Sequence, residues 1–173
     1  MSVQSRLLAV MAAFVLTALA FAPPTKADKG DKAGWSVIVD PRKRAFLYYV
    51  PTKDEARILT IGCLRDVDSF TVFSSGLKTG INNDTAATLS LSSGTAKYAV
   101  DGKVETDQAT GTQTFDIDID ADTKELRKIG ARLLPVLQSS EPITLSIGAV
   151  ELTLSASGLA QPLSRFKMIC LGR

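Results

Sequence analysis

The chain has 173 residues, of which 45% are hydrophobic and 22% charged, which is enough apolar sequence for one domain with a packed core. It contains no histidine, so catalysis by a histidine base and zinc sites built on imidazole are excluded. Its 20 basic and 18 acidic residues give a net charge of +2, too small to indicate nucleic-acid binding.

The N-terminus has the features of a secretory signal peptide over residues 1–27. Arg6 precedes the apolar run 7–22, a Pro-Pro pair follows, and Ala27 ends a small-residue cleavage motif. The run is shorter than a membrane span of about 20 residues, so we predict cleavage before Asp28; an uncleaved anchor is the alternative. Cleavage would leave a periplasmic or secreted protein with no stable membrane anchor.

The mature chain, residues 28–173, is predicted to be a single domain. Two of the 20 basic residues, Arg6 and Lys26, lie in the signal peptide, so the mature chain carries equal numbers of positive and negative charges. Its first two thirds predict short β-strands at 35–39, 45–50, 57–63, 69–73, 87–91, 96–100, 103–106 and 113–119. Gly94 and the pair Asp101-Gly102 are expected to be chain reversals.

The last third of the chain predicts a helix, a hairpin and a second helix. Asp122 and Glu125 form a capping box for a helix over 122–139 with an apolar stripe. Alternating residues at 143–147 and 150–154 predict a hairpin around Gly148, and Ser157 is expected to cap the final helix. The predicted fold class is therefore mainly β with two helices (α+β), an antiparallel β-sandwich or barrel with a C-terminal helix-hairpin-helix segment.

Two cysteines, Cys63 and Cys170, lie in the predicted mature chain. An even number of cysteines in an exported protein usually forms disulfides, so we predict a bond that closes the domain by joining an early strand to the end of the chain. A redox or metal site is the alternative. The sequence has no Cys-x-x-Cys pair and no histidine, which favours the structural disulfide.

Two short motifs match parts of the penicillin-binding signature. Ser164 and Lys167 fit Ser-x-x-Lys, and residues 78–80 read Lys-Thr-Gly. They occur in the wrong chain order, and no Ser-Asp-Asn accompanies them, so we interpret Ser164 and Lys167 as solvent-facing helix residues. We predict a protein that is not an enzyme and has no catalytic residues, cofactor or metal; a serine hydrolase is the alternative.

Alternating aspartates precede the first predicted helix. Asp116, Asp118 and Asp120 share one face of a strand, and oxygen-rich clusters suit calcium. However, Ala121 replaces the glycine of an EF-hand loop, and Arg127 stands where its bidentate glutamate should be. We expect a solvated strand face, with calcium binding as the alternative.

The segment 45–50 is apolar on both of its strand faces. Because a strand on a single core buries one face, we predict a partner-binding surface at Leu47 and Tyr49, rimmed by Arg42, Lys43 and Arg44. The alternative is that another part of the chain packs over this face, which would then be core.

Several stretches give the sequence a family resemblance. Ile-Leu-Thr-Ile-Gly-Cys at 58–63, the capped helix leading to Leu133-Leu134 and the ending at 152–170 resemble the periplasmic accessory proteins of type VI secretion. Gly-Trp-Ser-Val at 34–37 and Leu-Ser-Ala-Ser-Gly-Leu-Ala at 154–160 are similar to the invasion-associated locus B family. Ser93-Gly94 followed by Tyr98 resembles the membrane-class lysozyme inhibitors. All three imply a non-catalytic periplasmic β-rich domain that binds another macromolecule.

The function that follows is an exported, non-catalytic domain that binds another envelope or secreted protein, as an accessory of secretion or envelope machinery. The alternative is a periplasmic inhibitor or small-ligand-binding protein of the lysozyme-inhibitor type. An exposed Ser/Gly loop able to enter a cleft would distinguish the inhibitor.

Overall fold

A computed structural model of the protein describes residues 32–53 and 55–171. The predicted signal peptide lies outside these residues. The described part forms one antiparallel sheet of nine strands, in the spatial order β1-β2-β3-β4-β7-β6-β5-β8-β9. The strands are β1 Gly34–Asp40, β2 Arg44–Val50, β3 Leu59–Leu64, β4 Ser69–Leu77, β5 Thr85–Ser93, β6 Ala96–Thr106, β7 Gln113–Asp120, β8 Ile143–Ile147 and β9 Val150–Leu154.

The sheet curls into a half-barrel, and its two edge strands meet at one corner. The indole Nε1 of Trp35, at the start of β1, donates to the backbone oxygen of Ser155, just after β9, at 2.6 Å. The backbone N–H of Ser155 donates to the hydroxyl of Tyr49 at 3.4 Å, and the centres of the Tyr49 and Trp35 rings are 5.1 Å apart. Buried Trp and Tyr side chains need partners for their polar atoms, and this corner supplies them.

Two helices cover the inner face of the curled sheet. Helix α1, Thr123–Leu137, contacts β5 and β6, and helix α2, Ala160–Cys170, contacts β1 and β2. Their apolar stripes join the inward strand residues in one core. The side chain of Leu171 lies against Gly130, where an added Cβ would come within 2.8 Å of it, so the glycine allows the two helices to approach closely.

The predicted fold class is confirmed, and so is the start of α1. The backbone N–H of Glu125 donates to the carboxylate of Asp122 at 2.7 Å, and this bond lowers the pKa of Asp122. Pro135 lies in the last turn, where its missing N–H removes one helical hydrogen bond, and the helix ends two residues later. None of the described helices is both long and apolar enough to cross a membrane.

The prediction of a hairpin at Asp101-Gly102 is wrong. Both residues lie inside β6, which continues through them to Thr106. A Cβ at Gly102 would come within 2.6 Å of the Phe115 ring and 2.7 Å of the Asp116 backbone oxygen. This glycine therefore lets β7 approach β6 closely, rather than supplying the freedom for a turn.

The prediction that Ser157 caps the last helix is also wrong. Helix α2 begins at Ala160, its N-cap is Leu159, and no side chain caps it. The backbone N–H of Ser157 instead donates to the hydroxyl of Ser155, within the bend that leads from β9 to the helix. Serine hydroxyls form local hydrogen bonds to the backbone in bends as well as at helix caps.

Candidate functional site

The predicted disulfide is present. Cys63 of β3 and Cys170 of α2 are bonded, with their Cα atoms 5.8 Å apart and 107 positions apart in the chain. Both cysteines are buried in the core, at 0% and 1% exposure. The bond fixes the last residue of α2 to β3, the third strand from the β1 edge, and such bonds are typical of proteins outside the cytoplasm.

The structure places Leu47 and Tyr49 on the inner face of the sheet, not at a surface. Leu47 is 0% exposed and Tyr49 is 8% exposed, and both belong to the core. Helix α2 packs over this part of β2. The prediction that Leu47 and Tyr49 form an accessible face is therefore wrong, and both side chains belong to the core. This is the alternative in which another segment of the chain packs over them.

The outer face of β2 carries the other three apolar residues, Phe46, Tyr48 and Val50. Tyr48 and Val50 are buried at 6% and 0% exposure, and the guanidinium of Arg57 lies 4.2 Å from the centre of the Tyr48 ring. Phe46 is half-buried and lies over its cross-strand partner Gly62, where a Cβ would come within 2.7 Å of the ring. The Phe46 ring thus covers the backbone of Gly62, which is buried.

Ile38 lies beside Phe46 on this outer face. The two residues are cross-strand partners in β1 and β2, so their side chains stand side by side. The Ile38 side chain is 41% exposed, and the residue lies within the edge strand β1 and not at either of its ends. We call Ile38 and Phe46 the outer patch.

The turn between β1 and β2 presents two cations. Arg42 and Lys43 are exposed. The backbone N–H of Arg42 donates to the Asp40 carboxylate at 2.7 Å, and that of Lys43 to the Asp40 backbone oxygen at 3.1 Å. Lys43 has φ +61°, the left-handed conformation that a tight turn requires. The two side chains therefore project from a turn that Asp40 holds in shape.

Arg44 differs from its two neighbours because it is paired. Its Nε donates to Asp66 at 2.8 Å, and the guanidinium makes a second bond to the same carboxylate. The hydrogen bond between them lowers the pKa of Asp66 and raises that of Arg44. Of the three predicted rim residues, Arg42 and Lys43 are thus the ones that expose their charge beside the outer patch.

A groove of about 400 Å³ lies at the other end of β1, between this strand and the start of α2. Its lining residues are Lys32, Trp35, Ser36, Val37, Tyr48, Gln161, Pro162 and Arg165. Lys32 and Arg165 are exposed and bring two further cations to the edge strand. Sequence reasoning missed this groove, because only the packing of α2 brings residue 165 beside residue 32.

Asp116, Asp118 and Asp120 project together from the outer face of β7, as the alternation predicts. Asp118 accepts a hydrogen bond from Ser69. Partial burial is the main cause of a raised pKa of Asp116, and repulsion from Glu105 and Asp118 adds to it. Within the described part of the chain there is no group of three or more carboxylate or cysteine side chains arranged to hold a metal ion.

The residues of the remaining motifs differ in their exposure to solvent. Ser164 is exposed on α2 and Lys167 is half-exposed. Thr79, in the Lys-Thr-Gly stretch, is 2% exposed, and its N–H and hydroxyl both donate to Gln113 Oε1 at 2.7 Å. Ser93 is 4% exposed and donates to the backbone oxygen of Glu141 at 2.9 Å, so it is held inside rather than offered on a loop.

Comparison with known proteins gives one distant structural likeness. No protein-family model matches this sequence, and a search of curated proteins gives no match. The crystal structure of invasion associated protein b from Bartonella henselae is similar to this chain, with a TM-score of 0.35 and 15% sequence identity. The match covers 81% of this chain and 96% of that chain.

This likeness concerns the invasion-associated locus B family, one of the three that the sequence resembles. No comparison supports the resemblance to the accessory proteins of type VI secretion. A similarity at this level of identity does not assign the chain to a family.

Proposed function

We propose that this protein is a non-catalytic domain of the periplasm, or a secreted one, that binds another envelope or secreted protein through the β1 edge and the outer patch. The observation that carries the proposal is the position of Ile38. It is 41% exposed in an edge strand that pairs, among the described residues, with β2 alone. Edge strands and exposed apolar side chains are both features of protein-binding surfaces.

The surroundings of Ile38 match the composition of an interface. Phe46 adds a half-buried aromatic ring at the centre, and Arg42 and Lys43 supply a charged border at the adjacent turn. An apolar centre within a polar rim is the usual arrangement at protein interfaces, where aromatic residues and Arg are enriched. The described chain has two other large apolar side chains that are clearly exposed, Val67 and Met168, and neither lies on an edge strand.

The experiment places a photo-crosslinking amino acid at position 38 of the exported protein, with position 153 as the control. Thr153 is an exposed residue of β9, the opposite edge of the same sheet. We expect a discrete adduct with one partner protein from position 38 and none from position 153. The partner, identified by mass spectrometry, is then purified for binding measurements.

With the purified partner, Ile38→Asp should weaken binding by about tenfold or more, because it places a charge in the apolar centre of the interface. The matched variant Thr153→Asp should bind like the wild type. Circular dichroism and urea unfolding check that both variants are folded. Equal affinities for Ile38→Asp and wild type would show that the partner binds elsewhere.

A further inference from the structure

We infer that the partner contributes an extended segment that adds as a strand to β1, and that this segment carries acidic residues at both of its ends. The inference rests on the proposed function and names the chemistry of the partner at the same surface. It rests on two independent features: an edge of β1 that pairs with no further strand among the described residues, and the cations placed at each end of that edge.

Strand β1 lacks three of the features that commonly block strand addition, namely a bulge, a proline and a lysine. Its seven residues pair with β2 in unbroken register from Gly34 to Asp40, so no bulge twists the edge away. The strand contains no proline and no lysine, and its charged residue is the last one. Edge strands that do not bind other chains are commonly protected by such features.

The opposite edge of the sheet is a less suitable template. Strand β9 has five residues, and its second residue, Glu151, is an exposed charge. A segment that pairs with β9 would lie next to this carboxylate, whereas a segment that pairs with β1 would run from Gly34 to Val39 beside uncharged side chains. The two edges therefore differ in length and in charge, and both differences favour β1.

Cations lie at both ends of β1. Lys32 and Arg165 line the groove at its start, and Arg42 and Lys43 form the turn at its end. No ion pair joins any of these four side chains to a carboxylate within residues 32–53 and 55–171. At the turn, Asp40 and Asp66 offset two of the three positive charges of Arg42, Lys43 and Arg44. At the start of β1, the described residues that line the groove include two cations and no carboxylate.

The spacing of the two cationic ends sets the length of the added segment. Seven residues of extended strand span about 23 Å at roughly 3.3 Å per residue. A partner segment with about seven uncharged residues between two acidic groups would therefore place a carboxylate at each end of β1. Charge complementarity of this kind directs the segment to this edge and fixes its register.

Helix α2 supplies a second wall beside the edge. Its first turn lines the same groove as Trp35, at the start of β1. Its last residue, Cys170, is bonded to Cys63, which lies in register with Val39 near the other end of the strand. The helix therefore starts beside the β1 edge and crosses β2 to reach β3, and a strand added at β1 would have Arg165, which lines the groove, near its acidic end.

The test uses a synthetic peptide of seven alternating threonine and valine residues between two pairs of glutamates. Its control is the same peptide with lysines in place of the glutamates. Isothermal titration with the folded, disulfide-bonded protein should show saturable binding of the glutamate peptide, at least about tenfold tighter than that of the lysine peptide. In the double variant Arg42→Glu/Lys43→Glu this preference should fall or reverse.

Backbone pairing is tested separately with N-methylated peptides. In a strand that pairs on one side, alternate amides donate to the neighbouring strand and the others face away. Methylation of one alternate set of amides should therefore abolish binding, and methylation of the other set should leave it nearly unchanged. Equal effects of the two sets would overturn strand addition, and equal binding of the glutamate and lysine peptides would overturn the acidic segment.

Sedimentation of the protein alone provides the last control. If it dimerises through β1 and Ile38→Asp gives monomers, a second copy occupies the edge and the inference is wrong. If position 38 cross-links to a partner but no peptide binds, the inference of strand addition fails while the proposed function stands. If position 38 cross-links to nothing, the proposed function itself fails.

Discussion

Removal of the Cys63–Cys170 disulfide is the sharpest test of how this fold is stabilised. The bond closes a loop in which the cysteines are 107 positions apart, and it ties α2 to β3. In the chain-entropy description, a cross-link over a loop of this length stabilises the folded state by about 5 kcal/mol, and measured losses on removal of such bonds are about 2–5 kcal/mol. Because a small domain has a total stability of about 5–15 kcal/mol, this bond is a large part of it.

The test compares wild type with Cys63→Ala, Cys170→Ala and the double variant by urea unfolding. We expect each single variant to lose about 2–5 kcal/mol of unfolding free energy, and the double variant to lose little more, because either change breaks the same loop. Both positions are buried and apolar in character, so alanine leaves no unsatisfied polar group. The slope of free energy against urea should rise as well, since the unfolded chain becomes less compact.

A loss below about 1 kcal/mol in the double variant would refute this reasoning, because it would mean that the bond constrains neither state appreciably. Additive losses from the two single variants would also contradict it. They would show that packing of each side chain, rather than closure of the loop, accounts for the stability.

Three further predictions concern buried packing, a buried hydrogen-bond network and pH. Phe166→Ala should lower the unfolding free energy by about 3–5 kcal/mol, whereas Met168→Ala, 61% exposed on the same helix, should change it by less than about 0.5 kcal/mol in urea titrations. Gln113→Ala should cost about 1–3 kcal/mol, seen as a lower urea midpoint, because it leaves the buried N–H of Thr79 without its acceptor. Asp116→Asn should raise the unfolding free energy at pH 7. The pKa of Asp116 is raised in the folded state, so above that pKa the ionised carboxylate destabilises the folded protein, and asparagine removes this cost. The difference from wild type should vanish as the pH falls through the pKa of the carboxyl, and a difference that stays constant with pH would contradict the assignment.

The segment predicted to bind a partner shows where local patterns stop being informative. Segment 45–50 is apolar at every position, so it has no alternation of polar and apolar residues that would show which face points to the core. In the structure helix α2 covers Leu47 and Tyr49, while Arg57 covers Tyr48 from the other side. What remains accessible is Phe46 beside Ile38, and the exposure of Ile38 depends on β1 being an edge, which is a property of the strand order.

The groove at Lys32 and Arg165 has the same origin. The two cations are far apart in the chain, and no spacing or motif connects them. They come together because α2 returns across the sheet to β1 and β2. A site built from long-range contacts leaves no local signal in a single sequence.

Local sequence by itself determined the features whose energetics are local. The Asp122 cap, the stripe of α1 and the hairpin at Gly148 follow from hydrogen bonds and side chains a few residues apart, and two cysteines have one possible pairing within the chain. Tertiary structure alone decided the role of Gly102, because the same Asp-Gly pair suits a hairpin or a strand and the Phe115 ring selects the strand. It also decided which strand is left at the edge and which cations flank it. Those outcomes depend on the order of nine strands, and strand order is set by the burial of the whole core rather than by any one segment.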